Sequence, residues 1–228
     1  ERHANAATRA VLSASPSNPT GTAIAPVELE RIHAWCAQRG IALIVDEIYL
    51  ALMYDGDEFS AARWDDVFVV NSFSKYFLMT GWRLGWLLAP AWALPGLERL
   101  AQNLFLAAPT PAQHAALAAF TPAVATELEA RKAELRARRD FLLPALRERG
   151  FAVPLTPQGA FYVYADCSAH ADDSFRFARR LLEDAGVAVT PGIDFGAFEP
   201  QRYLRAAYTQ PLPRLREAMA RLDALLGR

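Results

Sequence analysis

The chain has 228 residues, 53% of them apolar and 21% charged, with a formal net charge of −1. That composition fits a globular protein of one or two domains and gives no reason to expect a nucleic-acid or acidic-membrane partner. No apolar run reaches the ~18–20 residues that span a bilayer, Glu1-Arg2-His3-Ala4-Asn5 lacks a signal-peptide pattern, and Cys36, Cys167 and the scattered histidines form no metal-ligand cluster, so a reduced, cytoplasmic setting without a metal is expected.

Ala10–Ala14, Ile41–Val45 and Val67–Val70 are short, unbroken apolar runs. They predict buried strands of the kind found in a parallel sheet covered on both faces. Between the first two, Pro26–Arg39 places Leu29, Ile32, His33 and Cys36 on one side of a helix, and Gly40 supplies its stop. Strand, helix, strand in this order is a βαβ unit. Leu84–Ala89 returns too soon after Gly81 for a crossover helix, so it is expected to run antiparallel to its neighbour.

From about Pro122 to Arg149 a long helix carries Glu127, Glu129, Arg131, Arg136 and Arg139; Pro144 is a candidate kink and Gly150 ends it. Phe161–Ala165, Val187–Thr190 and Tyr203–Tyr208 predict strands of a smaller α+β domain, with helices near Ser174–Ala185 and Leu212–Leu226 packed on them. The expected boundary lies near Pro109–Pro111. Residues 1–110 then form one domain, and residues 111–228 a small C-terminal domain entered through the long interdomain helix. The fold class is α/β: a mostly parallel sheet with flanking helices, plus the smaller α+β domain.

Polar residues gather where each apolar strand ends. Ser17-Asn18-Pro19-Thr20-Gly21 follows the first strand, Asp46-Glu47-Ile48-Tyr49 the second, and Asn71-Ser72-Phe73-Ser74-Lys75 the third. In open α/β sheets ligands bind outside the carboxyl ends of the strands. An amide, a carboxylate, two hydroxyls and an amine are thus directed to one crevice. Asp46, at the edge of an apolar run, needs a partner; a helix cap, a structural ion pair and a pyridinium nitrogen are all open readings. Of the 24 basic residues only Lys75 and Lys132 are lysines. An arginine cannot form a Schiff base, so a lysine in this background suggests a use for its amine. A genome biased toward arginine codons would also leave stray lysines, and Lys132, among Glu129, Arg131 and Glu134, fits that reading better than Lys75 does. Arg83, between Trp82 and Leu84, suits a planar anion such as phosphate, to which Ser72 could add a hydroxyl.

The stretch Ser72-Phe73-Ser74-Lys75-Tyr76-Phe77-Leu78-Met79-Thr80-Gly81-Trp82-Arg83-Leu84-Gly85 resembles the cofactor-attachment segment of the class I/II pyridoxal-phosphate-dependent aminotransferases of fold type I. Asn18-Pro19-Thr20-Gly21 is similar to that family's Asn-Pro-x-Gly turn, and Asp46-Glu47-Ile48-Tyr49 to its Asp-x-x-Tyr strand end. Gln158-Gly159-Ala160-Phe161-Tyr162, Pro191-Gly192-Ile193-Asp194-Phe195-Gly196 and Leu204-Arg205-Ala206-Ala207-Tyr208 resemble its small-domain landmarks. The motifs follow the family's order over nearly the whole chain.

The resemblance implies a homodimeric aminotransferase that moves an amino group between an amino acid and a 2-oxo acid, with pyridoxal 5'-phosphate as cofactor. It implies that Lys75 holds the cofactor and shuttles the substrate proton, and that Asp46 pairs with the pyridinium nitrogen. Asn18 and Tyr49 would hydrogen-bond the ring's 3'-oxygen. Ser72, Ser74 and Arg83 would bind the phosphate, and Arg205 the substrate's α-carboxylate. A cis Asn18–Pro19 bond is also implied. Gly192 and Gly196 bracket either a loop at the substrate mouth or an ordinary turn.

Relatives have a longer N-terminal part of the large domain, which supplies a phosphate-binding turn, a ring over the pyridine and an arm for the partner's site. Nothing before Ala10 matches these. The chain is therefore expected to be a fragment or a truncated product, with open sheet edges, exposed apolar faces and less than full activity by itself. Two other functions fit the same motifs: a pyridoxal-dependent carbon–sulfur lyase, and a non-catalytic effector-binding module. Trp82, Trp86 and Phe195 are expected in the core or the wall and do not identify a substrate.

Overall fold

The apolar runs of the first half pair side by side. In the computed structural model, which describes residues 3–227, β1 (Ala10–Ala14), β2 (Ala42–Asp46) and β3 (Phe68–Ser72) are parallel. The strand β4 (Gly85–Leu88) runs antiparallel to β3, and the sheet order is β1-β2-β3-β4. The helix α1 (Pro26–Ala37) opens on a proline, whose missing N–H costs nothing there. It packs Leu29 and Cys36 against Leu43, Val45, Val67 and Val69. Burying each aliphatic side chain of this set is worth about 1.5–3 kcal/mol.

The expectation of a sheet covered on both faces is corrected within this chain. Leu12 is 72% exposed, and Val70 and Leu87, which pair on the same face, are exposed too. Right-handed crossovers that step in one direction, from β1 to β2 to β3, place both connections on one face. The β2–β3 connection contributes only 3-10 turns, at Leu50–Leu52 and Ala61–Arg63.

The stretch around Pro109–Pro111 is the start of a helix. Two helices unforeseen in the sequence, α2 (Leu94–Leu104) and α3 (Thr110–Ala118), follow β4, and Pro111 lies in the first turn of α3. Ala116 and Ala119 pack on Phe73 and Met79, with Phe77, Leu84 and Trp86 around them. The long helix α4 (Pro122–Glu148) contains Pro144. Compact packing groups Ala23–Ala130 with the described residues up to Ser17, and Arg131 onward with Asn18–Thr22, so the division falls inside α4.

The second unit is an antiparallel sheet of order β5-β7-β6, with β5 (Tyr162–Asp166), β6 (Thr190–Pro191) and β7 (Tyr203–Ala207). The helices α5 (Ser174–Ala185) and α6 (Leu212–Leu226) have the expected bounds. Asp173 caps α5 by accepting from the N–H groups of Phe175 and Arg176. The strand expected at Val187–Thr190 shrinks to Thr190–Pro191. Val187 N–H is already committed to Leu181 C=O at the end of α5, and only Thr190 and Pro191 find partners on β7. Gly21, at φ +67, has no room for a side chain: a Cβ would lie 2.6 Å from the Cβ of Pro157. Its carbonyl accepts from the N–H groups of Gln158 and Gly159. Among the described residues no helix is long and apolar enough to cross a membrane.

Candidate active site

Where β3 ends, the chain turns sharply and presents Lys75. Ser72 Oγ lies 2.9 Å from Ser74 Oγ and 3.1 Å from the Leu84 carbonyl, and accepts from Ser74 N–H. Leu78 N–H donates to the carbonyl of Lys75 at 3.1 Å, Met79 N–H to that of Phe73 at 3.0 Å, and Thr80 Oγ1 to that of Ser74 at 2.7 Å. Arg83 donates to the Thr80 carbonyl at 2.9 Å. Its backbone is left-handed, φ 54 and ψ 50, a conformation that costs a residue with a Cβ roughly 1–2 kcal/mol. Gly85 follows because β4 passes close to β3: a Cβ there would meet the Asn71 carbonyl at 2.7 Å.

At the end of β2, Asp46 Oδ1 accepts from Ile48 N–H at 3.0 Å. No partner for Oδ2 is found among the described residues. Tyr49 is buried, and Lys75 Nζ lies 5.9 Å from the centre of its ring. Ends of β2 and β3 thus meet as the topology requires, and Glu47 N–H donates to the Val70 carbonyl between them. Glu47 is itself buried; its carboxylate accepts from Ser60 Oγ and Ala61 N–H. Burial pushes its pKa above the ordinary carboxylate value against those two hydrogen bonds, and the charge of Asp46 adds to the rise.

In the second unit Arg205 is held on every side. It donates to Asn18 Oδ1 at 2.7 Å and to Thr190 Oγ1 at 3.3 Å. Its guanidinium carbon lies 4.2 Å from the centre of the Tyr162 ring and 4.7 Å from that of Phe195. Its Nε is buried and lacks a hydrogen-bond partner among the described residues. A buried donor of that kind suits an anion. The Asn18–Pro19 peptide is cis, as is Ser15–Pro16.

Of the residues singled out in the sequence, Asp46, Tyr49, Ser72, Ser74, Lys75 and Arg83 fall in the first unit, and Asn18 and Arg205 in the second. An amine, a carboxylate with one oxygen to spare, two hydroxyls and a guanidinium suit a phosphorylated pyridine aldehyde in chemistry. Thr190 and Tyr162 join Arg205 without a local signal in the sequence, because strand pairing brings Thr190 on β6 beside Arg205 on β7. Neither cysteine is a candidate nucleophile. Burial raises both thiols, Cys167 to about 11.

The family model described as aminotransferase class I and II matches residues 1–222. The valine–pyruvate aminotransferase of Mycobacterium tuberculosis is 42% identical over 221 residues, which cover 96% of this chain and 57% of that protein. The aspartate/prephenate aminotransferase of Thermus thermophilus is 38% identical over 225 residues, 97% of this chain and 57% of its own length. A crystal structure of an aminotransferase from M. tuberculosis superposes with a TM-score of 0.94 at 40% identity, covering 99% of this chain and 59% of that one. An aromatic aminotransferase from Pyrococcus horikoshii OT3 gives 0.93 at 32% identity, over 99% of this chain and 62% of that one. The chain thus spans a little over half the length of these relatives.

Proposed function

Because the chain belongs to the class I and II aminotransferase family, whose cofactor is pyridoxal 5'-phosphate, we propose that the whole protein moves an amino group between an amino acid and a 2-oxo acid. The observation that carries this reading is the placement of the Lys75 amine 5.9 Å from the Tyr49 ring, between the ends of β2 and β3. When bound, the cofactor supplies an electron sink for the substrate's α-carbon. Lys75 holds it covalently and moves the proton at that carbon. Asp46, with an oxygen to spare, would pair with the ring nitrogen and keep it protonated. Ser72, Ser74 and Arg83 hold the phosphate, the guanidinium supplying charge and the hydroxyls direction. Tyr49 would donate to the ring's 3'-oxygen, and the family resemblance gives Asn18 the same role. Arg205 grips the α-carboxylate, and its aromatic cover keeps it from swinging away. A homodimer belongs to the same proposal and rests on the family resemblance; a cytoplasmic setting belongs to it too and rests on the two free cysteines, Cys36 and Cys167.

The relatives named above are aminotransferases, which favours this reading over a carbon–sulfur lyase or an effector-binding module. The test is to supply the whole protein with pyridoxal 5'-phosphate and a panel of amino acids, with and without a 2-oxo acid. A new amino acid formed only when both substrates are present supports transamination. Release of a thiol and a 2-oxo acid without an acceptor would assign a lyase, and tight binding without turnover an effector module.

A further inference from the structure

The turn that presents Lys75 spans Lys75-Tyr76-Phe77-Leu78, closed by the bond from Leu78 N–H to the Lys75 carbonyl. Leu78 takes φ 57, a left-handed value disfavoured for any side chain with a Cβ. Such a turn needs anchors outside itself, and both of its central residues have one. Phe77 packs its ring against Phe73 at 4.9 Å, Phe120 at 5.9 Å and Trp86 at 6.3 Å. Tyr76 sets its ring edge-on to Phe77 at 5.0 Å and donates its hydroxyl to Glu129 Oε1, on α4, at 2.5 Å. A phenol giving its proton to a carboxylate makes a short, charge-assisted bond. Burial, then the Glu129 hydrogen bond and the charges of Glu129 and Glu58, push the Tyr76 hydroxyl well above the ordinary phenol value. It is therefore a donor across the whole neutral range.

We propose that Tyr76 is a positioning residue for Lys75, anchored by Glu129, and that their bond fixes the peptide plane that follows the lysine. The proposal rests on the reading of Lys75 as the cofactor-holding residue. An exposed tyrosine–carboxylate pair elsewhere on the surface would matter little. Here the donor is the next residue after the lysine, inside a four-residue turn whose other central side chain is fixed already. Loss of the bond leaves that plane held from one side only, and the lysine amine less well aimed; misaiming a reacting group is costly in rate and cheap in binding.

The experiment compares Tyr76→Phe, Glu129→Gln and the double variant with the unaltered protein, each whole and loaded with pyridoxal 5'-phosphate. It reads the site of borohydride labelling, the pH midpoint of the bound cofactor's absorption change, kcat and KM. Glu129→Gln alters an exposed side chain and keeps an acceptor, so it reports even if Tyr76→Phe folds poorly. Expected is labelling still confined to Lys75, kcat lower by about tenfold in each single variant with KM little changed, and a midpoint displaced by about half a unit or more. The double variant should be no worse than either single one, since the same charge-assisted bond is lost in all three. Unchanged kcat and midpoint, or effects that add in full, would overturn the proposal while leaving Lys75 in its role. Absence of label on Lys75 in the unaltered protein would overturn both.

Discussion

Glu47, just past β2 in the first unit, and Asp166, at the end of β5 in the second, are both buried carboxylates at a strand end, yet their acidities move in opposite directions. Burial pushes both pKa values up. For Glu47 it wins, because its partners are neutral donors, Ser60 Oγ and Ala61 N–H. For Asp166 it loses to two hydrogen bonds from Ser168 and to Arg202, which donates at 2.6 Å. In the candidate site Asp46, Arg83 and Arg205 stand on the side of Glu47, with neutral partners. Asp46 and Arg83 of the first unit have one neutral backbone partner apiece. Arg205 of the second is boxed in by Asn18, Thr190 and two aromatic rings. Charges left with neutral partners, Arg205 included, retain capacity for an anion or cation; the Asp166–Arg202 pair, each meeting the other's charge, supplies a rigid frame.

The largest expected effect breaks the first unit's side of this contrast. Lys75→Arg keeps the charge and removes the amine's covalent chemistry, so amino transfer should fall by roughly a thousandfold or more; residual turnover within tenfold would mean that only the charge mattered. Next comes Arg205→Lys, which keeps charge but loses the planar fork and its stacking on Tyr162 and Phe195. Steady-state kinetics should show kcat/KM for the amino acid down about 10–100-fold, mostly through KM. An unchanged KM would remove Arg205 from substrate binding.

Legibility follows the same line. Strands β1, β2 and β3, the antiparallel β4, and helices α5 and α6 could be read because each is set by a local apolar run, a cap or a closing glycine such as Gly186. The gathering of Asp46, Ser72, Ser74 and Lys75 at neighbouring strand ends could be read because a βαβ unit fixes which strand ends face the same way. α2 and α3 do not stand out in the same way: α2 does carry leucines at helical spacing, Leu94, Leu97, Leu100 and Leu104, but the short run between Pro95 and Pro109 reads as connection, while α3 has no apolar stripe and the prolines near 109 suggest a break where Pro111 begins a helix. The Glu47 staple, the Tyr76–Glu129 bond and the partners of Arg205 join residues far apart in sequence. Only the folded chain brings them together.

Two smaller effects sharpen the comparison through pH. Asp166 has a folded pKa below its unfolded value, so its stabilisation is present above the ordinary aspartate value of 3.8 and is lost as pH falls through the depressed folded value. Urea unfolding of Asp166→Asn should therefore show a loss of about 1.5–3 kcal/mol near neutrality that shrinks in acid. Glu47 has a folded pKa above its unfolded value, so its contribution is present below 4.5 and fades as pH rises through the raised folded value. Glu47→Gln should differ from the parent by about 1 kcal/mol or less, with the variant gaining on the parent as pH rises. If both variants changed in the same direction with pH, the contrast between neutral and cationic partners would fail.

Reductive labelling shows whether Lys75 is the residue that holds the cofactor. The protein is incubated with pyridoxal 5'-phosphate, reduced with borohydride and mapped by peptide mass; only Lys75 and Lys132 offer lysine amines. Label confined to Lys75 is the expected result. Label spread evenly over Lys75, Lys132 and the N-terminal amine would contradict it.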